Sequence, residues 1–146
     1  MIRFGLKVAV ITLVVLVAAT LTSARTPTVY SAIKGTWLNA NSGALVKIVI
    51  GTDSTGRLFV HPYGSCSPTP CDWGIAYPVV WSGAVGSTTV RALTATYGSS
   101  TSISRLLTAN LEYVNGVAHL RVNLFSHFGD RGDPRYDYWI TESMSK

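Results

Sequence analysis

The densest concentration of side chains able to bind or react lies between His61 and Trp73, where Cys66-Ser67-Pro68-Thr69-Pro70-Cys71 is preceded by Tyr63 and followed by Asp72-Trp73. Cys66 and Cys71 are the two cysteines of the chain, and an even count in an exported protein is read as a disulfide. A bridge across so short a loop removes little unfolded-chain entropy, worth about 2 kcal/mol, so its expected role is to fix local shape. A zinc site using Cys66, Cys71 and His61 would compete for the thiols. It lacks a second pair of ligands at finger-like spacing, so neither a metal nor a cofactor is expected. Two prolines stiffen the loop, and Tyr63 and Trp73 are expected to frame a rigid aromatic platform with Asp72 and His61 as adjacent polar groups. Aromatic faces beside hydrogen-bonding groups suit sugar rings or aromatic ligands. The same rings serve equally well to cover the end of a core while Asp72 caps loop amides.

Catalytic chemistry has less to build on. His119 and His127 share a strand face, but their spacing of eight residues is too great for one ion. No serine carries an elbow motif. Asp130, Asp133 and Asp137 lie in or just after a glycine-rich turn. A carboxylate pair there would suit glycoside hydrolysis, although aspartate is also an ordinary turn residue. Arg131-Gly132-Asp133 spells an integrin-binding tripeptide within ordinary turn composition, and no Asn-x-Ser/Thr sequon is present.

The elements that position these residues follow an amino-terminal leader. Arg3 and Lys7 precede the uncharged run Val8 to Leu21, and Thr22-Ser23-Ala24 closes it, the layout of a signal peptide cleaved after Ala24. Residues 1–24 are therefore expected to be a leader and 25–146 a single domain, secreted or periplasmic, that meets a membrane only during export. Without Arg3 and Lys7, 10 basic residues face 7 acidic ones, a net charge of about +3 rather than +5. Arg57, Arg91, Arg105, Arg121 and Lys47 are dispersed singly, so no nucleic-acid partner is expected.

After residue 25, short β-branched and aromatic runs recur between glycine, asparagine, serine and proline clusters. This pattern predicts an all-β domain with strands over 33–39, 45–50, 58–63, 75–81, 89–97, 102–114, 118–128 and 136–141. Asn115-Gly116 predicts a type I′ turn joining the two longest strands, whose residues alternate apolar and polar on either side. Eight strands with short connections predict an antiparallel up-and-down barrel that closes on itself and removes its edges. A β-sandwich is the alternative and would need longer crossing connections.

Two resemblances bear on this expectation. Gly35-Thr36-Trp37 is similar to the strand entry of calycin barrels such as avidins and lipocalins, which implies a calycin-like barrel with Trp37 as a structural plug at one end. The segment Gly64 to Gly74, together with Trp37 to Asn41, Leu58 to Tyr63, Gly129-Asp130-Arg131 and Tyr136, resembles a poorly characterised group of small secreted bacterial domains. Their mark is Trp-Gly-x-Cys-x-Pro-Thr-x-Cys-Asp-Trp-Gly, and this chain has Tyr63 at its first position. That resemblance implies a small exported β-barrel and carries no catalytic residue. The expected function is a secreted binding or interaction module for a glycan or small-molecule ligand, using Tyr63, Trp73, Asp72 and His61. The alternatives are a small extracellular hydrolase acting on polysaccharide or cell-wall material through the acidic turn, and a purely structural surface protein.

Overall fold

The computed structural model describes residues 28–41, 43–98, 103–129 and 134–146. The expected leader 1–24, Arg131-Gly132-Asp133 and the carboxylate of Asp130 therefore lie outside the described residues. Among the described residues there is no helix. The strands are β1 (Gly35–Leu38), β2 (Leu45–Thr52), β3 (Leu58–Gly64), β4 (Cys71–Asp72), β5 (Val79–Ser82), β6 (Val90–Gly98), β7 (Ile103–Val114), β8 (Val117–Phe128) and β9 (Tyr138–Ser145).

All nine strands belong to one antiparallel sheet in the order β4-β3-β2-β1-β9-β8-β7-β6-β5. Two meanders, β1 to β4 and β5 to β9, are joined where Leu38 of β1 pairs with Ser145 of β9. The all-β expectation is met with one sheet rather than two, but the sheet has nine strands and is not closed. β4 and β5, its two edges, are also short, at 2 and 4 residues. Proline cannot donate to a ladder, and Pro70 and Pro78 directly precede the two edge strands. Ala76, between β4 and β5, exchanges two backbone hydrogen bonds of 2.9 Å with Val60 of β3. The sheet curls far enough for the Tyr97 hydroxyl of β6 to donate to the Val60 carbonyl of β3 at 3.0 Å.

The β7–β8 hairpin follows its sequence signal closely. Val114 pairs with Val117 around Asn115 (φ 51°) and Gly116 (φ 79°), the positive backbone angles of a two-residue turn. Register then sends Leu107, Ala109 and Leu111 of β7 to the same face as Leu120, Val122 and Leu124 of β8, and all six are buried. Their neighbours Leu106, Asn110, Arg121, Phe125 and His127 face outward. Trp37 is fully buried at the Lys146 end of β9, donating Nε1–H to the Ile33 carbonyl at 3.0 Å beneath the Lys146 ammonium. Ile33 itself is buried in a turn before β1 rather than in the strand predicted for it.

Candidate functional site

The disulfide-loop region takes shape from β3, along which Leu58, Val60 and Pro62 are buried while Phe59, His61 and Tyr63 face outward. Cys66 and Cys71 are disulfide-bonded with their Cα atoms 5.4 Å apart, and the turn they close lays β4 beside β3, pairing Asp72 with Tyr63. Asp72 Oδ1 then meets His61 Nε2 at 2.5 Å and accepts the Gly74 amide at 2.7 Å. The histidine hydrogen bond, and after it the Gly74 amide, hold the Asp72 carboxyl below its ordinary pKa. His61 stacks on Tyr63 with ring centroids 4.5 Å apart, its Nδ1 lies 3.3 Å from the Tyr63 hydroxyl, and Lys47 Nζ sits 3.8 Å from the Tyr63 ring centre. Both ring nitrogens of His61 are thus engaged, and its side chain is only 18 % exposed.

Trp73 goes elsewhere. A Cβ on Gly64 would lie 2.6 Å from Trp73 Nε1, so the indole covers the inward side of this glycine, on the face of β3 opposite Tyr63. There it packs edge-on to Tyr97 at 6.2 Å and carries the Arg105 guanidinium 4.4 Å over its ring. Of the four residues expected to form a platform, the structure brings together His61, Tyr63 and Asp72. It places Trp73 against the core.

A second histidine–aspartate pair lies on the outer face at the β8–β9 end. His127 Nδ1 is 2.7 Å from Asp137 Oδ2, and the other carboxylate oxygen accepts the Phe128 amide at 2.9 Å. The histidine hydrogen bond, followed by that amide, again depresses the carboxyl pKa. Register places Phe125 beside Trp139 and beside Leu106 on the outward side of three adjacent strands. Phe125 and Trp139 stack with centroids 6.3 Å apart and planes inclined by 23°, and they remain 44 % and 64 % exposed. Together with Ser104, Tyr138 and the His127–Asp137 pair these rings line a groove of about 370 Å³. His127 is 61 % exposed, and among the described residues its Nε2 has no partner.

The groove offers a flat apolar shelf with a polar end, the composition of a site for a ligand with one apolar face and hydroxyl groups at its edge. Ser104 stands opposite His127 in the ladder, yet no hydrogen bond joins the two among the described residues. The carboxylate orients a histidine, and among the described residues the histidine hydrogen-bonds no nucleophile. Sequence reasoning located Asp137 but assigned it to the acidic turn, and it did not bring Phe125 together with Trp139. Their signal was parity: Phe125 occupies the outward register of Arg121, Asn123 and His127, where an aromatic residue is out of place for a solvated face.

Among the described residues no group of three or more His, Cys, Asp or Glu is placed to hold a metal ion, and no helix is long and apolar enough to cross a membrane. No protein-family model, curated protein or solved structure matches the chain.

Proposed function

We propose that the protein is an exported carbohydrate-binding module of the small secreted β-domain type that the Gly64–Gly74 segment resembles, and that sugar rings lie on the Phe125–Trp139 shelf. The supporting observation is the near-parallel, half-exposed aromatic pair beside the hydrogen-bonding His127–Asp137 end of the groove. Large apolar side chains left exposed and contiguous mark interaction sites, and stacked rings supply a rigid surface that loses little entropy on binding. His127 Nε2 and the Ser104 hydroxyl supply the polar contacts that set orientation.

Titration of the domain with neutral oligosaccharides, followed by tryptophan fluorescence and calorimetry, tests this reading. Saturable binding that Trp139→Ala removes and Tyr63→Ala preserves is the expected result. Binding lost with Tyr63→Ala and kept with Trp139→Ala would move the site to the disulfide loop. Failure of every glycan to bind would reject the carbohydrate assignment.

The hydrolase reading is favoured by one observation, the carboxylate hydrogen-bonded to Nδ1 of an exposed histidine, which orients a general base. Oligosaccharide cleavage abolished by both His127→Ala and Asp137→Asn would establish it in place of simple binding.

A further inference from the structure

On the inward face the ladder sets four polar or aromatic side chains in one transverse row. Tyr97 of β6 pairs with Arg105 of β7, Arg105 with Ser126 of β8, and Ser126 with Tyr138 of β9. The next row toward the core, Ala95, Leu107, Leu124 and Ile140, is apolar. The polar row therefore lies toward the Tyr138 end of β9, away from the end that Trp37 fills, with Ile103 and Phe128 beyond it on the same face of the β7–β8 ladder. Side chains directly opposite in a ladder have Cβ atoms about 5 Å apart, within reach of a shared small ligand.

Two donors of this row are unused. Ser126 is 3 % exposed and its Oγ has no hydrogen-bond partner; Arg105 Nε is likewise buried and unpartnered. Buried polar groups in folded proteins are nearly always paired, so two unsatisfied donors in one row point to a hydrogen-bond acceptor between them. Among the described residues Arg105 has no carboxylate partner; its guanidinium instead lies 4.4 Å over the Trp73 ring. Arg135, stacked at 4.2 Å on Phe128, adds positive charge nearby. Phe128 in turn stacks on Tyr138 at 5.9 Å, giving this mouth an aromatic wall.

We propose that the mouth of the core binds a small organic carboxylate, which accepts hydrogen bonds from Arg105 Nε–H and the Ser126 hydroxyl and rests its apolar body against the Phe128–Tyr138 wall. A planar guanidinium matches a planar carboxylate through paired hydrogen bonds, which favours this class over a spherical anion. Ser126 and Tyr138 also border the outer groove, so the two sites adjoin and Trp139→Ala distinguishes them.

The test titrates the domain at constant ionic strength with acetate, benzoate and inorganic phosphate, reading tryptophan fluorescence and melting temperature. Benzoate is expected to bind saturably, to change the emission of Trp73 beneath Arg105 and to raise the melting temperature. Ser126→Ala deletes only a buried unpaired hydroxyl and leaves the fold intact. It should weaken benzoate about ten-fold, since a hydrogen bond to a charged group is lost. Arg105→Gln should abolish the response, and Trp139→Ala should leave it unchanged. The proposal is overturned if no carboxylate gives a saturable response, if Arg105→Gln or Ser126→Ala retains full affinity, or if phosphate binds and benzoate does not.

Discussion

Two histidine–aspartate pairs stand on the outer face of the same sheet, one at the disulfide loop and one where β8 meets β9, and their surroundings differ. His61 uses one ring nitrogen for Asp72 and the other for the Tyr63 hydroxyl, lies flat on the Tyr63 ring and is mostly covered. His127 gives one nitrogen to Asp137 and keeps the other unpartnered among the described residues, beside exposed rings in a groove. A disulfide, two prolines and a core-packed tryptophan brace the first pair; among the described residues nothing comparable closes over the second. Satisfied hydrogen bonds and packed rings stabilise a fold, whereas a ligand needs groups left open to it. On the function proposed above, the disulfide loop serves architecture and the β8–β9 groove recognition, although the loop is the richer segment in sequence.

The strongest way to break this assignment is Trp73→Ala. The indole packs on Gly64, Tyr97 and Arg105, and its loss should destabilise the domain by about 3 kcal/mol, as for other large-to-small changes at packed aromatics. Denaturant unfolding measures it. Unchanged stability with weakened ligand binding would return Trp73 to a binding platform.

Next in size is removal of the bridge. Cys66→Ser with Cys71→Ser should cost about 2 kcal/mol by the chain-entropy argument, and should disturb His61 and Asp72 resonances while leaving those of His127 and Asp137 in place. Glycan affinity should be unaffected, and a parallel loss of affinity would show that the two regions are coupled.

Trp139→Ala sharpens the comparison from the other side. The ring is mostly exposed, so stability should stay within about 0.5 kcal/mol, the usual range for surface changes. Binding of any glycan that occupies the shelf should weaken by about 1 kcal/mol or more, as for aromatic residues at binding surfaces. Calorimetry on the pair of proteins separates the two effects.

The smallest effect is that of pH. Asp72 and Asp137 both titrate below the ordinary 3.8, primarily because each accepts a hydrogen bond from its histidine. A carboxylate whose folded pKa is depressed contributes stability above its unfolded pKa and loses that contribution as pH falls through the folded value. Both pairs therefore help at neutral pH, and their help disappears in acid below 3.8. Carboxyl carbon shifts followed by NMR should place both midpoints under that value. His127→Ala should raise the Asp137 midpoint alone, and His61→Ala that of Asp72 alone; a change in both from either variant would contradict their independence.

Much of this molecule was legible from short-range signals. Alternation and turn chemistry located eight of the nine strands, and Asn115-Gly116 identified its hairpin to the residue, because both signals act between neighbours in the chain. The paired cysteines followed from their number and spacing. Strand β4 was missed since its 2 residues carry no periodicity and are paired only because the disulfide turn returns them to β3. Parity along one strand tells inward from outward, but the partners across the ladder depend on how the whole sheet is ordered. So the stacking of Phe125 on Trp139, the capture of His127 by Asp137, the inward turn of Trp73 onto Gly64 and the row from Tyr97 to Tyr138 were decided by the tertiary structure. The same holds for the open edge between β4 and β5. Composition and local pattern determined that the chain would form antiparallel strands around an apolar core. Register and curl, which are set by pairings between residues far apart in the chain, determined which of its polar and aromatic groups were left exposed.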